Sequence, residues 1–278
     1  MIPKLAAYVS SFNVLQNGIS YREPLERMLA FFDLTVVAVN TSTDSTLAAL
    51  QSMASEIQNV GRLYIIETSF AYIDVTFDGA TKNAALQEAY RLTGEAPEWV
   101  YVQMDLDEMP VPNQRIMWRG LAAQLLALPE ADCLMFPTVD VWGSMDTIRD
   151  EVPLGLKQRI HKRDIHRGVW KDAWIIPGKR FRTDMSDSGE ALRSDGSLAH
   201  CAHVVPHQYL HPSTHHMLNG YPYTVHLGYL SFDQRVRVNK AIWADHWTLR
   251  NNGQPMDVVL DTAPLRDYPV VKHCLNLT

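Results

Sequence analysis

The chain has 278 residues, of which 46% are hydrophobic and 20% charged, and its formal net charge is −6 at pH 7. This composition is typical of a globular protein with one large domain or two small ones, and it excludes a general basic field for nucleic acid. No apolar run approaches the roughly 20 residues that cross a bilayer, and the N-terminus lacks the pattern of a signal peptide. Three widely spaced cysteines, Cys133, Cys201 and Cys274, complete the prediction of a cytoplasmic protein with reduced thiols.

The N-terminal half alternates strand-like and helix-like segments. Apolar and β-branched runs predict strands at 5–12, 34–39, 63–67, 99–104 and 133–142. Helical spacing of apolar residues predicts helices over 20–29, 43–57, 79–91 and 115–128. A Ser20–Glu23 capping box is expected to open the first helix. The last is expected to turn four apolar side chains inward, Ile116, Leu121, Leu125 and Leu128.

The β-α-β-α-β-α-β order predicts an α/β fold with a doubly wound, mostly parallel central sheet and helices on both faces. From 143 to about 223 the pattern becomes irregular, and residues 232–249 look helical again. Because no linker or internal repeat interrupts the chain, we expect a single domain over 1–278. Residues 1–142 would form one half of it and residues 143–278 the other.

Three carboxylates follow the strand at 99–104. They are Asp105, Asp107 and Glu108, and since Asp and Glu are poor strand formers the strand should end there. Asp105 and Asp107 lie two positions apart, so in extended backbone both would point the same way and share one hard cation. The alternative is a solvated acidic turn before the prolines at 110 and 112.

Other polar side chains follow the neighbouring strands. Ser10 ends the first strand, Asn40 to Thr46 follow the second, and Lys82 opens the helix after the third. In a doubly wound sheet these strand ends lie along the edge where ligands bind. Together with the carboxylates they suit a nucleoside diphosphate with a divalent metal.

Three short segments in this half match the motifs of a known family. They are Ser42–Thr46 (Ser-Thr-Asp-Ser-Thr), Lys82–Ala85 (Lys-Asn-Ala-Ala) and Met104–Glu108 (Met-Asp-Leu-Asp-Glu). In this order and placement they resemble the Ser-Thr-Asp-Gly-Thr, Arg-Asn-x-Gly and Asp-x-Asp elements of the family 2 glycosyltransferases, which have a GT-A fold. The resemblance covers about residues 5–142.

The resemblance implies a GT-A type fold and the transfer of a sugar from a nucleotide-diphosphate sugar, with Mn²⁺ or Mg²⁺ at the diphosphate. A UDP-sugar is the first choice of donor. By position, Asp105 would face the ribose or the metal, Asp107 would be the main metal ligand, and Lys82 would lie near the base or the phosphates. The family often has an Asp where this chain has Val39 and Asn40, and Lys82 replaces an Arg with its bidentate fork. Because of these two differences, the resemblance does not determine which nucleobase the donor carries.

A histidine in the second half also resembles a family residue. In many GT-A enzymes a His from the C-terminal half serves as a further metal ligand, and His226 in Thr224–Gly228 resembles it. The alternative is that His226 is a half-buried structural residue. An imidazole ligand favours Mn²⁺ over Mg²⁺. The expected donor-binding side chains are therefore Ser10, Asn40, Asp44, Lys82 and Asp105, and the expected metal ligands are Asp105, Asp107 and His226.

The acceptor side is marked by a basic segment over 157–182, which holds nine Lys or Arg against Asp164 and Asp172. Three interpretations are open. The segment binds a polyanionic acceptor such as modified DNA, it supplies cations that stabilise the diphosphate leaving group, or it is a solvated surface. Asp172 is the first choice of catalytic base, and the acceptor itself, a glycan or modified DNA, stays open. Six histidines between 200 and 216 fit a structural zinc site, an acceptor loop or plain packing.

Two other functions use the same features. A nucleotidyltransferase shares the sheet and the metal but usually has a glycine-rich phosphate loop, whereas the loop from Ser10 to Gly18 has a single glycine. A non-catalytic module that binds a nucleotide sugar or nucleic acid is the third possibility. The carboxylates together with His226 favour catalysis.

Overall fold

The computed structural model describes residues 2–56, 59–70, 77–142, 144, 155–163, 165–166, 192–193, 199–206, 209–210, 218 and 220–229. Asp172, the helix expected at 232–249 and four of the six histidines between 200 and 216 lie outside these residues. Four α-helices are described: α1 (Arg22–Phe31), α2 (Thr46–Ser55), α3 (Phe77–Thr93) and α4 (Arg115–Ala127). Within the described residues, no helix combines the length and the apolar character needed to cross a bilayer.

Eleven strands are described. In chain order they are β1 (Lys4–Ser11), β2 (Leu34–Asn40), β3 (Leu63–Thr68), β4 (Trp99–Asp105), β5 (Glu108–Pro110), β6 (Cys133–Trp142), β7 (Gly155–His161), β8 (Ile165–His166), β9 (Leu192–Arg193), β10 (Cys201–His203) and β11 (Thr224–Tyr229). Nine of them form one sheet in the order β3-β2-β1-β4-β7-β6-β11-β5, with β10 paired to β6. The other two, β8 and β9, pair with each other.

The sheet is mostly parallel. β3, β2, β1 and β4 run parallel to one another, as do β6, β10 and β11, whereas β7 and β5 run antiparallel to their neighbours. From β1 the chain steps outward to β2 and β3 and then crosses back to β4. The strand order therefore reverses between β1 and β4, the position where open α/β sheets bind ligands.

Helices cover both faces of this sheet. Because side chains alternate along a strand, Ala6 and Tyr8 of β1 pack with Leu86 of α3 on one face, while Val9 packs with Leu25 of α1 on the other. The buried side chains of α2 and α4 pack on this second face as well. The predicted α/β class, the mostly parallel sheet and the helices on both faces are confirmed.

One local prediction is wrong, and one short strand was not predicted. The first helix begins at Arg22 after Tyr21, with no side-chain cap, so Ser20 does not form a capping box. Pro24 then falls in the first turn, where its missing N–H would have no helical partner in any case. The short strand β5 was not predicted, because Glu and Pro are both poor strand formers.

The prediction of three reduced thiols is also wrong. Cys133 and Cys201 form a disulfide between β6 and β10, with their Cα atoms 4.7 Å apart. The two residues are register partners in parallel strands. The two cysteines are 68 residues apart in sequence. Their pairing depends on a contact between strands, which the local sequence pattern does not reveal.

Candidate functional site

The carboxyl ends of β1 and β4 lie side by side. Ser10 is the register partner of Asp105, so two predicted donor-binding residues are neighbours at the point where the strand order reverses. The chain then turns at Leu106 and Asp107 before β5 begins at Glu108. The extended backbone expected for Asp105–Asp107 is therefore not found, and the two carboxylates belong to a strand end and a turn.

Glu108 stabilises this turn. Its side chain is fully buried, and Oε2 accepts a hydrogen bond from the Asp105 N–H at 2.9 Å. A hydrogen bond between the backbone and a buried side chain helps to fix the direction of the chain, because breaking a hydrogen bond to a buried polar group costs free energy. Glu108 thus ties the start of β5 to the end of β4, on either side of Asp107.

Lys82 and Asp105 form an ion pair. Lys82 Nζ lies 3.1 Å from Asp105 Oδ1, and the side chains are 2% and 26% exposed respectively. The same oxygen accepts a hydrogen bond from Gln103 Nε2 at 3.0 Å. Because Lys82 is enclosed by protein, its contacts favour a role in holding Asp105 over direct contact with a donor.

Asp107, His226 and Asp140 form a continuous chain of contacts. His226 Nε2 lies 3.2 Å from Asp107 Oδ2, and His226 Nδ1 lies 2.6 Å from Asp140 Oδ1. Strand β11 brings these groups together, since His226 pairs in register with Glu108 of β5 and with Asp140 of β6. Burial alone would lower the pKa of His226, but the carboxylates of Asp107 and Asp140 outweigh burial and raise it well above its ordinary value.

Gly228 makes room for this arrangement. A Cβ at this position would lie 2.5 Å from His226 Nε2 and 3.2 Å from Asp107 Oδ2. A Cβ this close would force the His226 ring to shift, so glycine at position 228 lets the ring and the carboxylate take up these positions. The Leu227 N–H also donates to the Asp107 carbonyl at 2.8 Å, which ties β11 to the turn.

The Ser-Thr-Asp-Ser-Thr element braces the loop after β1. Asp44 accepts hydrogen bonds from the N–H groups of Gln16 at 2.7 Å and Thr46 at 2.9 Å. Partial burial would raise the pKa of Asp44, but the hydrogen bonds from Thr46 and Gln16 outweigh it and hold the pKa below its ordinary value. Asn13, at a φ of 44°, exchanges two side-chain hydrogen bonds with Thr43.

The side chain of Asn40 is engaged by the backbone of Phe70. Its amide nitrogen donates to the Phe70 carbonyl, and its oxygen accepts the Phe70 N–H, both at 2.8 Å. Asn40 is buried, so the structure places it as an anchor for the chain that leaves β3. Its expected contact with the donor stays a prediction, as does that of Asp44.

A divalent cation fits two of the predicted ligands. Within the described residues, no group of three or more His, Cys, Asp or Glu is arranged to hold a metal ion. Two atoms that share a small divalent cation at about 2.1 Å each lie roughly 3 Å apart, close to the spacing of Asp107 Oδ2 and His226 Nε2. Mg²⁺ and related ions use one or two protein ligands when phosphates supply the rest, so the donor set fits a metal–diphosphate complex.

Sequence reasoning missed Asp140 and Gly228. Asp140 is a lone carboxylate in a strand otherwise rich in apolar residues, and Gly228 lies in a strand two positions after a candidate ligand. Both residue types are disfavoured in strands, and glycine there often marks a close approach. These signals were present, but only the tertiary structure shows what the two residues face.

Little of the predicted acceptor side is described. Of the basic segment, Lys162 donates to the Leu128 carbonyl and Arg163 lies 4.9 Å from the ring of Tyr90, so both contact the body of the protein. His200 Nδ1 bonds to the Glu130 carbonyl at 2.6 Å. Asp172 lies outside the described residues.

No protein-family model matches the chain, and no curated protein matches it. Among solved structures, TarS of S. aureus in complex with UDP is similar with 16% identity, over 90% of this chain and 74% of TarS, at a TM-score of 0.39. The mannosyltransferase PcManGT from Pyrobaculum calidifontis, in complex with GDP-Man and Mn²⁺, has 17% identity over 92% of this chain and 66% of its own, at a TM-score of 0.40.

A third similar structure is a nucleoside-diphosphate-sugar pyrophosphorylase from Vibrio cholerae RC9. It has 9% identity over 80% of this chain and 91% of its own, at a TM-score of 0.36. TM-scores this low are too small to transfer a function, so the function must be inferred from the side chains of this chain.

Proposed function

We propose that this chain is a metal-dependent glycosyltransferase, which moves a sugar from a nucleotide-diphosphate sugar to an acceptor. The observation that supports it is the meeting of Asp107 with His226, 119 residues apart in sequence, at 3.2 Å beside the Lys82–Asp105 pair. A carboxylate and an imidazole at the strand-reversal edge are suited to bind a cation together with a diphosphate.

Each of these residues has a proposed role. Asp107 and His226 would hold Mn²⁺ or Mg²⁺, which when bound supplies positive charge to a diphosphate leaving group. Asp105, oriented by Lys82 and Gln103, would accept hydrogen bonds from the donor ribose. Ser10, next to Asp105 in register, would contact the same part of the donor.

The finer parts of the proposal concern the donor, the acceptor and the setting. A UDP-sugar is the first donor to test, and a glycan or modified DNA the first acceptor. Asp172 is proposed as the catalytic base, and residues 157–182 as the acceptor-side surface. We propose a single domain over 1–278. A cytoplasmic location stays a prediction from the sequence, without the support of a reduced Cys133 and Cys201.

The nucleotidyltransferase alternative is disfavoured by the loop after β1. A phosphate-binding loop presents several backbone N–H groups to its ligand. Here the N–H groups of Asn13, Leu15 and Gln16 donate to side chains of the loop after β2 and of the first residue of α2. Hydrogen bonds that already fasten one loop to another do not serve as a phosphate cradle.

Ligand-dependent stabilisation tests the proposal. The full chain is heated with UDP-sugars and GDP-sugars in Mn²⁺ or EDTA, and donor hydrolysis is followed by chromatography. At a donor concentration 100 times its Kd, binding stabilises by about 2.7 kcal/mol, which raises Tm by roughly 5 °C for a chain of this size. Asp107→Ala should abolish the metal-dependent part of the shift.

Glu67→Gln is the matched control. Glu67 is an exposed residue of β3 near the same edge, and its substitution removes one negative charge. This variant should keep the full shift. If no donor stabilises the wild-type chain with or without metal, the proposed function is wrong; if Asp107→Ala keeps the metal-dependent shift, the metal assignment is wrong.

A further inference from the structure

We infer that Asp140 is a positioning residue that holds the His226 ring so that Nε2 faces Asp107. This inference rests on the proposed function, because it gives that orientation a purpose in metal binding. Neither the motifs nor the resemblance points to Asp140. It is assigned by its contact with His226, across two paired strands and 86 residues of sequence.

The contact determines which ring nitrogen faces the site. An ionised carboxylate can only accept hydrogen bonds, so Asp140 Oδ1, 2.6 Å from Nδ1, requires the proton to be on Nδ1. Nε2 is then the nitrogen that faces Asp107, at 3.2 Å. Metal-binding histidines commonly use a carboxylate on the opposite ring nitrogen in this way.

The surroundings of the ring support a fixed orientation. Gly228 leaves space for the ring edge where any Cβ would collide, and the Leu227 N–H ties the same strand to the Asp107 carbonyl. Rotation about the last side-chain torsion of His is otherwise soft, so a ring without a partner on Nδ1 would sample other orientations. Asp140 supplies that partner.

Strand stability does not explain Asp140. Aspartate is disfavoured in strands, and a partly exposed ion pair contributes less than about 1 kcal/mol. The side chain of Asp140 is 40% exposed, against 12% for His226. Its removal should therefore affect the site much more than the free energy of unfolding, which separates a positioning role from a structural one.

Mn²⁺ affinity provides the first test. Binding of Mn²⁺ to the full chain in the presence of UDP is measured by titration calorimetry or by the loss of the free-ion spin-resonance signal. Asp140→Asn should weaken binding 10- to 100-fold, and Asp140→Glu should recover part of the loss. Urea unfolding of Asp140→Asn should stay close to that of the wild type.

Glu67→Gln again provides the control for charge. It removes one negative charge from β3, which four strands separate from β6. If Glu67→Gln and Asp140→Asn lose Mn²⁺ affinity equally, the effect of Asp140 is only the long-range attraction of its charge for the cation, and the inference is overturned. Unchanged Mn²⁺ affinity in Asp140→Ala, which has no acceptor for the Nδ1 proton, would overturn it as well, while leaving the proposed function in place.

A second test needs no metal. In protein labelled with ¹⁵N in the histidine rings, the hydrogen-bonded proton on Nδ1 of His226 should give a downfield resonance that correlates with Nδ1 and is thereby distinguished from a proton on Nε2. His226→Gln identifies this Nδ1 resonance by its disappearance. Asp140→Ala should abolish this resonance in a chain that remains folded. A resonance that persists in Asp140→Ala overturns the inference. If wild-type protein shows the resonance but binds no Mn²⁺ with UDP, the metal site fails and the positioning role for metal binding fails with it.

Discussion

The Lys82–Asp105 pair is unequally exposed, with 2% exposure for the lysine side chain and 26% for the aspartate. Removing one member of a buried pair costs about 3–5 kcal/mol when the remaining charge cannot reach water. Asp105→Ala leaves the enclosed ammonium without this carboxylate, whereas Lys82→Met leaves a carboxylate that is partly solvated. We therefore expect Asp105→Ala to destabilise the protein more than Lys82→Met does.

Urea unfolding of the two variants measures this difference. The expected losses are about 3–5 kcal/mol for Asp105→Ala and about 1–2 kcal/mol for Lys82→Met, which preserves the packing of the side chain. Equal losses, or a larger loss for Lys82→Met, would contradict the arrangement. The result also bears on function, because a lysine that mainly holds Asp105 should be replaceable with less loss of donor affinity than Asp105 itself.

Residue types at the site were predictable, whereas their partners were not. Asp105 and Asp107 were recognisable because they end a strong strand pattern, and Ser10 was expected beside them from strand order alone. Asn40 was expected to bind the donor, yet its amide is engaged by the backbone of Phe70. A polar residue at a strand end can serve a ligand or a neighbouring loop, and the sequence does not distinguish the two.

At the scale of elements, helix α4 shows how volume decides which face is buried. The sequence pattern placed Ile116 and Leu128 inward, but Ile116 is 85% exposed and Leu128 is 40% exposed. Trp118 is buried instead, with ring centroids 5.0 Å from Phe31 and 4.7 Å from Phe136. Aromatic contacts of this kind outweigh the burial of one isoleucine.

Substitutions on α4 test this orientation. Trp118→Ala removes a buried aromatic side chain and should cost about 3–5 kcal/mol of unfolding free energy. Ile116→Ala, two residues away, should change it by less than about 0.5 kcal/mol because that side chain is already in water. Chemical denaturation compares them, and a large effect at Ile116 would show that the helix is rotated from the orientation described.

The two loops at the site form a second element-scale feature. The loop after β1 and the loop after β2 are joined by hydrogen bonds through Asn13, Thr43 and Asp44. The Ser-Thr-Asp-Ser-Thr element was interpreted as part of the donor site, and the structure shows what it holds within the protein. Both uses are compatible, since a braced loop presents a fixed edge to a ligand.

For the whole molecule, the decisive feature is that both predicted halves contribute to one sheet. Strand β11, from the second half, lies between β6 and β5 and pairs with both. Disrupting either half would break strand pairs in the other. We therefore expect the full chain to unfold in a single cooperative transition.

Calorimetry tests this prediction of a single domain. The calorimetric and van't Hoff enthalpies of unfolding should agree, and far-ultraviolet circular dichroism and tryptophan fluorescence should give the same midpoint. Two separate transitions would instead show that the segments on either side of residue 142 unfold independently. Donor with Mn²⁺ should shift the whole transition, because its proposed ligands come from β11 and from the turn after β4.

The sequence by itself determined the class of fold, most strand and helix bounds of the first half, and the edge at which polar side chains gather. These follow from periodicity and strand order, which are local properties or depend on short crossovers. Only the tertiary structure decided which partners meet there: His226 with Asp107, Asp140 behind the ring, Gly228 beside it, and Cys133 with Cys201. Such contacts join strands far apart in sequence, and their register is set by how the whole sheet assembles rather than by any segment alone.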